Sequence, residues 1–247
     1  MDIQQGFVLT RQARDFSGRT QIDLWLSTPK GPTLLTIQNE KPVFFVAQSD
    51  IETCQSIADK EAIDCQFKPL ELATFDQTPL AACYTSLSRS SFGLAQAFNG
   101  EEIQTFESDI RLADRFLMER FIKGSIEFTG SITPKRQHRR VSNAKCRTGD
   151  YLPSLSVVSL DIECSEKGVL YSIGLDSPMD SRVIMIGEPQ EADTNIQWVA
   201  NEKALLEAMI AWFSEFDPDI IIGWNVIDFD FRPVSYTHLR AHETASD

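Results

Sequence analysis

Short runs of alternating apolar and polar residues fill the first half of the chain. In "TQIDLWLST", residues 20–28, every second side chain is apolar, which is typical of a strand with one buried face. "GFVLT" precedes it across a polar turn, and "GPTLLTIQNEKPVFFVA" repeats the pattern around a turn near 39–42. The pattern therefore predicts a succession of short strands.

Helix signals interrupt these strands. Ser49 and Glu52 have capping-box spacing and predict a short helix, and Asp109 is placed to cap a helix over "IRLADRFLMERFIKG". Between them, "PLAACYTS", "SSFGLAQAF" and "EEIQTFES" are interpreted as strand, helix and strand. We expect residues 1–130 to form a mixed α+β domain.

The second half has a different order of elements. Four strand candidates, "LSVVSLDIE", "GVLYSIGL", "SRVIMIGE" and "NIQWVA", precede a helix that Asn201 is placed to cap. The apolar run "DIIIGWN" then predicts a strand buried on both faces. A helix between strands implies a crossover and a parallel pair within a mixed sheet, and ligands of such sheets gather at the carboxyl ends of strands.

A basic segment separates the two halves. Residues 131–149 contain six Lys or Arg residues and no acid. A flexible, solvated linker over 131–150 is the simpler interpretation, and a local contact with nucleic acid is the alternative.

Composition narrows the function classes. The 247 residues, 42% hydrophobic and 24% charged, suit one large or two ordinary globular domains. No apolar stretch approaches the roughly 20 residues that span a membrane, and five scattered cysteines without C-x-x-C favour a reducing cytoplasm. The net charge of −13 argues against bulk attraction to nucleic acid, so any DNA contact has to be local or mediated by metal ions.

Two carboxylates end the first strand of the second half. Asp161 and Glu163 are two residues apart, so both point to one face while Ile162 points into the core. No Lys, Arg or His lies nearby in sequence to offset their charges, and hard oxygen ligands suit Mg²⁺ or Mn²⁺. An isolated D-x-E is also compatible with a merely solvated strand end.

Longer motifs carry a family resemblance. "SLDIE", followed later by "DPDIIIGWNVIDFD", resembles the first two exonuclease motifs of the family B DNA polymerases. "GFVLTRQARD", "DIRLADRFLMERFI" and "DIECSEKGVLYSIGL" are similar to the bacterial polymerase II subfamily. The resemblance extends from the N-terminus to about Arg232.

The resemblance implies a fold and a domain plan. An N-terminal α+β domain, the basic linker, and the first part of a ribonuclease-H-like 3′→5′ exonuclease domain over 151–232 are expected in that order. Residues 233–247 lose all periodicity after a proline and are expected to be a foreign or disordered tail.

The resemblance also implies roles for single residues. Asp161, Glu163 and Asp230 would be catalytic and bind Mg²⁺ or Mn²⁺ in a two-metal site. Asn225 and Phe229 would contact the DNA strand end. Asp228 is the alternative to Asp230 as the third acid of the site. Asp230 is favoured because it directly follows a phenylalanine, as in the family's second motif.

The implied partner is DNA, as primer–template with a single-stranded 3′ end. A sliding clamp is possible for a full-length protein but not through this region, and no membrane is expected. The third exonuclease motif and the polymerase domains have no counterpart in the sequence, so the expected product is an inactive N-terminal fragment of a replication or repair polymerase. The alternatives are a free-standing 3′→5′ nuclease and a non-enzymatic nucleic-acid-binding module.

Overall fold

Two compact units make up the chain. The computed structural model describes residues 2–191 and 195–226. The division falls between Met1–Pro153 and Ser154–Asp247, called here the N-terminal unit and the C-terminal unit. Asp228, Phe229, Asp230 and the segment 233–247 lie outside the described residues. Within the described ranges, no helix has the length and apolar character needed to cross a bilayer.

The N-terminal unit contains eight strands, three α-helices and a short 3₁₀ helix at Gln48–Asp50 within its described residues. The strands are β1 Gln4–Phe16, β2 Arg19–Ser27, β3 Thr33–Ile37, β4 Val43–Ala47, β5 Cys65–Ala73, β6 Pro79–Thr85, β7 Ser125–Pro134 and β8 Arg139–Thr148. The helices are α1 Ile51–Lys60, α2 Ser88–Gly100 and α3 Leu112–Glu119.

Five of these strands close into a barrel. Their order is β1-β2-β3-β8-β7, with β1 pairing back to β7, and only β3 and β8 run parallel. Ile22, Leu24 and Leu26 are fully buried inside it, as the alternation in β2 predicts. The helix α3 adds Leu112, Ala113 and Phe116 to the same core. The barrel therefore depends on pairing between residues about a hundred positions apart in sequence, such as Thr33 and Arg139.

A second core lies under the smaller sheet of this unit. Strands β4, β6 and β5 form that sheet in the order β4-β6-β5, and α1 and α2 contribute side chains to its core. Asp15 of β1 caps α2 from a distance, because its carboxylate accepts hydrogen bonds from the backbone N–H groups of Ser88 and Arg89. Burial alone would raise the pKa of Asp15, but these bonds and one from the Thr20 hydroxyl outweigh it and lower that pKa.

The expectation of a flexible linker over residues 131–150 is wrong. These residues include the last four residues of β7 and all of β8, which pair as an antiparallel hairpin and complete the barrel. Val141 and Ala144 of β8 are buried in the barrel core, while the basic side chains alternate with them. The strand was missed because it contains so few apolar residues that its alternation is hidden among charges.

Three local predictions in this unit also fail. The capping box does not form, since α1 begins at Ile51 and Ser49 donates instead to the Asp50 carboxylate. Asp109 caps nothing, because α3 begins only at Leu112. "EEIQTFES" is not a strand and contributes a single bridge between Phe106 and Phe45.

The C-terminal unit is a mixed sheet with one described helix. Its elements are β9 Val157–Cys164, β10 Leu170–Asp176, β11 Ser181–Ile186, β12 Ile196–Val199, α4 Glu202–Phe216 and β13 Ile220–Ile222. The strand order is β12-β11-β10-β9-β13, with parallel pairs at β11–β12 and β9–β13. The helix α4 covers one face of the sheet and forms its core with β9, β10 and β11.

The expected cap of α4 is present. The Asn201 side chain accepts a hydrogen bond of 3.0 Å from the backbone N–H of Ala204, and Asp217 ends the helix in a left-handed conformation. The expectation that β13 is buried on both faces is wrong. Ile222 is 52% exposed and Ile221 is 37% exposed, so the strand is not covered on both faces.

We predict that Asn201→Ala lowers the free energy of unfolding by about 1 kcal/mol, the usual cost of losing an N-cap. Ser49→Ala is the matched control, because its hydroxyl caps no helix, and it should change stability by less than about 0.5 kcal/mol. Urea denaturation followed by tryptophan fluorescence measures both. Equal effects of the two substitutions would contradict the assignment of Asn201 as the cap.

Candidate metal centre on the C-terminal sheet

The two carboxylates predicted from the sequence lie on β9, an interior strand of the sheet between β10 and β13. Asp161 and Glu163 are exposed on one face, and Leu160 and Ile162 are buried on the other, under α4. Ser159 precedes them on the exposed face, which no described helix covers. The alternation inferred from the sequence is therefore confirmed for this strand.

A reciprocal pair of side chains fixes β13 beside β9. The Asp219 carboxylate accepts hydrogen bonds of 2.9 Å from both the backbone N–H and the hydroxyl of Ser156. In return, the backbone N–H of Asp219 donates to the Ser156 hydroxyl at 3.0 Å. Ile220 then pairs with Val157, and Ile222 with Ser159. This contact, called here the register clamp, sets which residue of β13 faces which residue of β9.

Gly223 brings the end of β13 against the backbone of β9. A Cβ atom built on Gly223 would lie 2.3 Å from the carbonyl oxygen of Leu160, the residue before Asp161. Only glycine permits that approach without a backbone shift. Asn225 follows in a left-handed conformation with φ 57°, and Trp224 beside it is 91% exposed. The sequence prediction that these two strands are neighbours is thus confirmed for the described residues, although β9 continues past Asp161 to Cys164.

A shallow groove of about 230 Å³ opens beside Asp161. Gly174 of β10 stands opposite Asp161 in the register, so no side chain crowds the carboxylate from that strand. Asp176 and Arg182 also line the groove.

Arg182 does not neutralise the Asp161 carboxylate. Its guanidinium donates to the Asp180 carboxylate at 2.6 Å, and Trp212 Nε1 donates to the same oxygen at 2.8 Å. The hydrogen bond from Arg182, with that from Trp212, lowers the pKa of Asp180, although burial opposes the shift. Arg182, although it lines the groove, is therefore engaged by another acid.

Asp161 and Glu163 have no side-chain hydrogen bond or ion pair within 2–191 and 195–226. Carboxylates on one strand face without a cationic partner are the donor set that a hard divalent cation prefers. In the described part of the chain, no three His, Cys, Asp or Glu side chains cluster as a metal site. The pair thus supplies part of a ligand set, and the third predicted acid, Asp230, falls outside the described residues.

Comparisons with known proteins place this arrangement in a family. Residues 176–244 match the model of the DNA polymerase family B exonuclease domain, and residues 6–41 match that of the DNA polymerase II N-terminal region. DNA polymerase II of Escherichia coli is 34% identical over 234 residues, which cover 93% of this chain. The chain belongs to the family B DNA polymerases.

More distant relatives agree with this family B assignment. A DNA polymerase of Archaeoglobus fulgidus is 20% identical over 94% of the chain. The solved family B polymerase of Pyrobaculum calidifontis matches the fold with a TM-score of 0.65 at 15% identity, covering 94% of this chain and 32% of that one. The chain spans 29% of the length of the Escherichia coli protein and 30% of the Archaeoglobus protein. Exonuclease domains of this family depend on metal ions.

The family B match has two limits that bear on the site. It begins at residue 176, so it leaves Asp161 and Glu163 outside the matched range. It continues to residue 244 and takes in most of the segment expected to be foreign. The expectation for 233–247 stays a prediction.

Sequence reasoning missed the residues that align the two strands. Asp219 and Gly223 both lie within the quoted motif "DPDIIIGWN", yet neither was given a role. A signal for Gly223 was available, since a glycine directly after a buried strand often marks a close backbone approach. No local signal pairs Asp219 with Ser156, because 63 positions separate them.

We predict that Gly223→Ala destabilises the C-terminal unit by about 1–3 kcal/mol, the usual cost of overpacking, because the new methyl group meets the Leu160 carbonyl. Gly174→Ala is the matched control on the neighbouring strand, since its Cβ would meet nothing closer than 3.8 Å. It should be neutral or stabilising by up to about 1 kcal/mol. Thermal melts of both variants measure the difference, and a Gly223→Ala variant as stable as wild type would refute the close approach.

Proposed function

We propose that the C-terminal unit contains part of a metal-dependent 3′→5′ proofreading exonuclease site, with two of its carboxylates on β9. Asp161, Glu163 and Asp230 would bind two Mg²⁺ or Mn²⁺ ions. The observation that supports this best is the exposure of Asp161 and Glu163 on one face of β9, beside the end of β13. The whole protein would be a DNA polymerase of the polymerase II type.

The chemistry of such a site depends on position and charge. When bound, a metal pair supplies an activated water and a stabilised leaving 3′-oxygen. The chain's own contribution is to hold Asp161 and Glu163 at fixed separation on a strand, which is a more rigid support than a loop. Asn225 and Phe229 would position the single-stranded 3′ end of the primer, so that the terminal phosphodiester lies beside the carboxylates.

The domain plan that we propose assigns the N-terminal unit, residues 1–153, to an N-terminal polymerase domain and residues 154–232 to the start of the exonuclease domain. The match of residues 6–41 to a polymerase N-terminal region favours this context over a free-standing nuclease. The bare carboxylate pair in turn favours a metal-dependent enzyme over a binding module whose acids are structural. A sliding clamp would contact other parts of the full-length protein.

We predict that Mn²⁺ binds this chain and that Asp161→Asn or Glu163→Gln weakens the binding roughly tenfold or more, because hard cations are held by charged oxygen ligands. Isothermal titration calorimetry with Mn²⁺ alone measures the affinity. Binding should strengthen as pH rises through the range in which carboxylates ionise, since the metal competes with protons for the same oxygens.

Glu207→Gln is the control for charge removal. Glu207 is exposed on α4, which packs on the face of the sheet opposite Asp161. The Glu207→Gln variant should bind Mn²⁺ with the same affinity as the wild-type chain. The proposal would be overturned if Asp161→Asn and Glu163→Gln both left Mn²⁺ binding unchanged, or if the wild-type chain bound no Mn²⁺. In either case these acids would have a structural role.

A further inference from the structure

The smaller sheet of the N-terminal unit brings three of the five cysteines together. Cys83 lies within β6, Cys65 begins β5 at the edge of the described sheet, and Cys54 is on α1. All three contribute to the same core, in which Cys54 and Cys83 are fully buried. Cys65 is only partly buried, so it is the thiol of this group that solvent reaches.

The strand register places Cys65 and Cys83 on the same face of this sheet. Cys65 pairs with Thr85, and Phe67 pairs with Cys83, in an antiparallel ladder. Because paired residues and residues two apart share a face, the two cysteines are diagonal neighbours. The Cα atoms of diagonal neighbours are about 7–8 Å apart, so a disulfide between them needs a small backbone movement. Cys65 can make that movement, because the end of an edge strand is held by few hydrogen bonds.

The two thiols also interact directly. The Cys83 thiol donates a hydrogen bond to the Cys65 sulfur, and this bond lowers the pKa of Cys65. Burial and the carboxylates of Asp64 and Asp59 oppose that shift without cancelling it. The same hydrogen bond, together with burial, raises the pKa of Cys83. Cys65 is therefore the thiol of the pair that ionises first, and Cys83 keeps its proton.

Cys54 is not suited to the same role. Burial raises the pKa of its thiol to about 11, with smaller contributions from Asp50 and Cys65. A thiol that stays protonated is a poor nucleophile, since the thiolate is the reactive form.

Aromatic side chains shield Cys83 from reagents in solution. Phe44 of β4 and Phe67 of β5 flank it on the two neighbouring strands. Phe98 of α2 contacts both rings, with centroids 5.8 Å from that of Phe44 and 6.4 Å from that of Phe67. An oxidant therefore meets Cys65 first. Metal binding is the other common use of neighbouring thiols, but in the part of the chain that the structure describes no three His, Cys, Asp or Glu side chains form such a site.

We propose that Cys65 is a site of reversible oxidation by peroxides and that Cys83 resolves the oxidised form as a disulfide. In the first step the Cys65 thiolate attacks one peroxide oxygen. An S–O bond forms, the O–O bond breaks, and the leaving hydroxide takes up a proton and departs as water. In the second step the Cys83 sulfur attacks the sulfur of the Cys65 sulfenic acid. The S–S bond forms, the S–O bond breaks, and the proton of the Cys83 thiol leaves with the hydroxide as a second water.

The overall change is balanced between the thiols and the oxidant. The two thiols together lose two electrons, and one hydrogen peroxide is reduced to two waters. A dithiol reductant reverses the reaction by exchange through a mixed disulfide.

The position of Cys83 protects Cys65 from permanent damage. A sulfenic acid that condenses with a nearby thiol is not oxidised further to a sulfinic acid, which is irreversible for most proteins. The oxidised state is a covalent link between β5 and β6. It needs neither a metal ion nor Asp161, so it is independent of the exonuclease proposal.

The test is peptide mapping by mass spectrometry after the full chain is exposed briefly to hydrogen peroxide. EDTA is present to exclude metal-catalysed oxidation, and remaining thiols are blocked by alkylation before digestion. Cleavage after Glu71 separates Cys65 from Cys83, so their peptides stay together only if a disulfide joins them. We expect the joined peptides in the oxidised chain, with two hydrogen atoms fewer than the separate peptides. They should come apart on treatment with dithiothreitol.

Three variants separate the two steps. Cys83→Ala removes the resolving thiol, so the sulfenic acid of Cys65 should accumulate and be trapped by dimedone, which adds covalently to sulfenic acids. Cys65→Ser should abolish the joined peptides and leave Cys83 reduced. Cys164→Ser is the matched control, because Cys164 is also partly buried but lies in the C-terminal unit. This control should form the joined peptides as readily as the wild-type chain.

Circular dichroism melts establish that each variant folds. The wild-type map decides the question even if Cys83→Ala does not fold, because it identifies the joined residues directly. A disulfide between Cys65 and Cys83 that dithiothreitol removes would support the proposal. It would be overturned if Cys65 stayed reduced while Cys164 was oxidised, if Cys65 joined Cys54 instead, or if Cys65 accumulated as a sulfinic acid without any disulfide.

Discussion

The parallel pairing of β13 with β9 is the constraint on which the candidate metal centre depends. Ser156 and Asp219 exchange hydrogen bonds through both side chains and backbone, and Gly223 then lets the end of β13 touch the carbonyl of Leu160. Hydrogen bonds to a carboxylate contribute about 1.5–3 kcal/mol each, so the clamp is strong enough to hold one register against its neighbours. A slip of one residue would turn the side chains of β13 to the other face of the sheet.

Much of the C-terminal unit could be predicted because its signals are local. The alternation around Asp161 and Ile162, the cap at Asn201 and the order of strands all appear within short windows of sequence. The N-terminal barrel could not be predicted in this way. Its closure joins β3 to β8 across about a hundred residues, and β8 carries so many charges that it resembles a linker. The exposure of Ile222 was missed for a similar reason, since an apolar run does not show which of its side chains other elements cover.

Charge has opposite uses in the two units. In the C-terminal unit, Asp161 and Glu163 have no ion pair with a described residue, while Arg182, which lines the same groove as Asp161, is engaged by Asp180. In the N-terminal unit, Arg14 and Arg147 have acidic partners, whereas Arg140 has no ion pair with a described residue. The overall charge of −13 hides both features, because each depends on which side chains are already paired.

The most direct test of the metal centre is paramagnetic broadening of backbone amide signals by Mn²⁺ in nuclear magnetic resonance spectra of the full chain. If β9 and β13 meet as described, substoichiometric Mn²⁺ should broaden the amides of Asp161, Gly174 and Gly223 together. Amides of the barrel core, such as Leu24, should stay sharp, and Asp161→Asn should abolish the effect. Broadening confined to residues away from β9 and β13, or unchanged by Asp161→Asn, would contradict a metal centre at these strand ends.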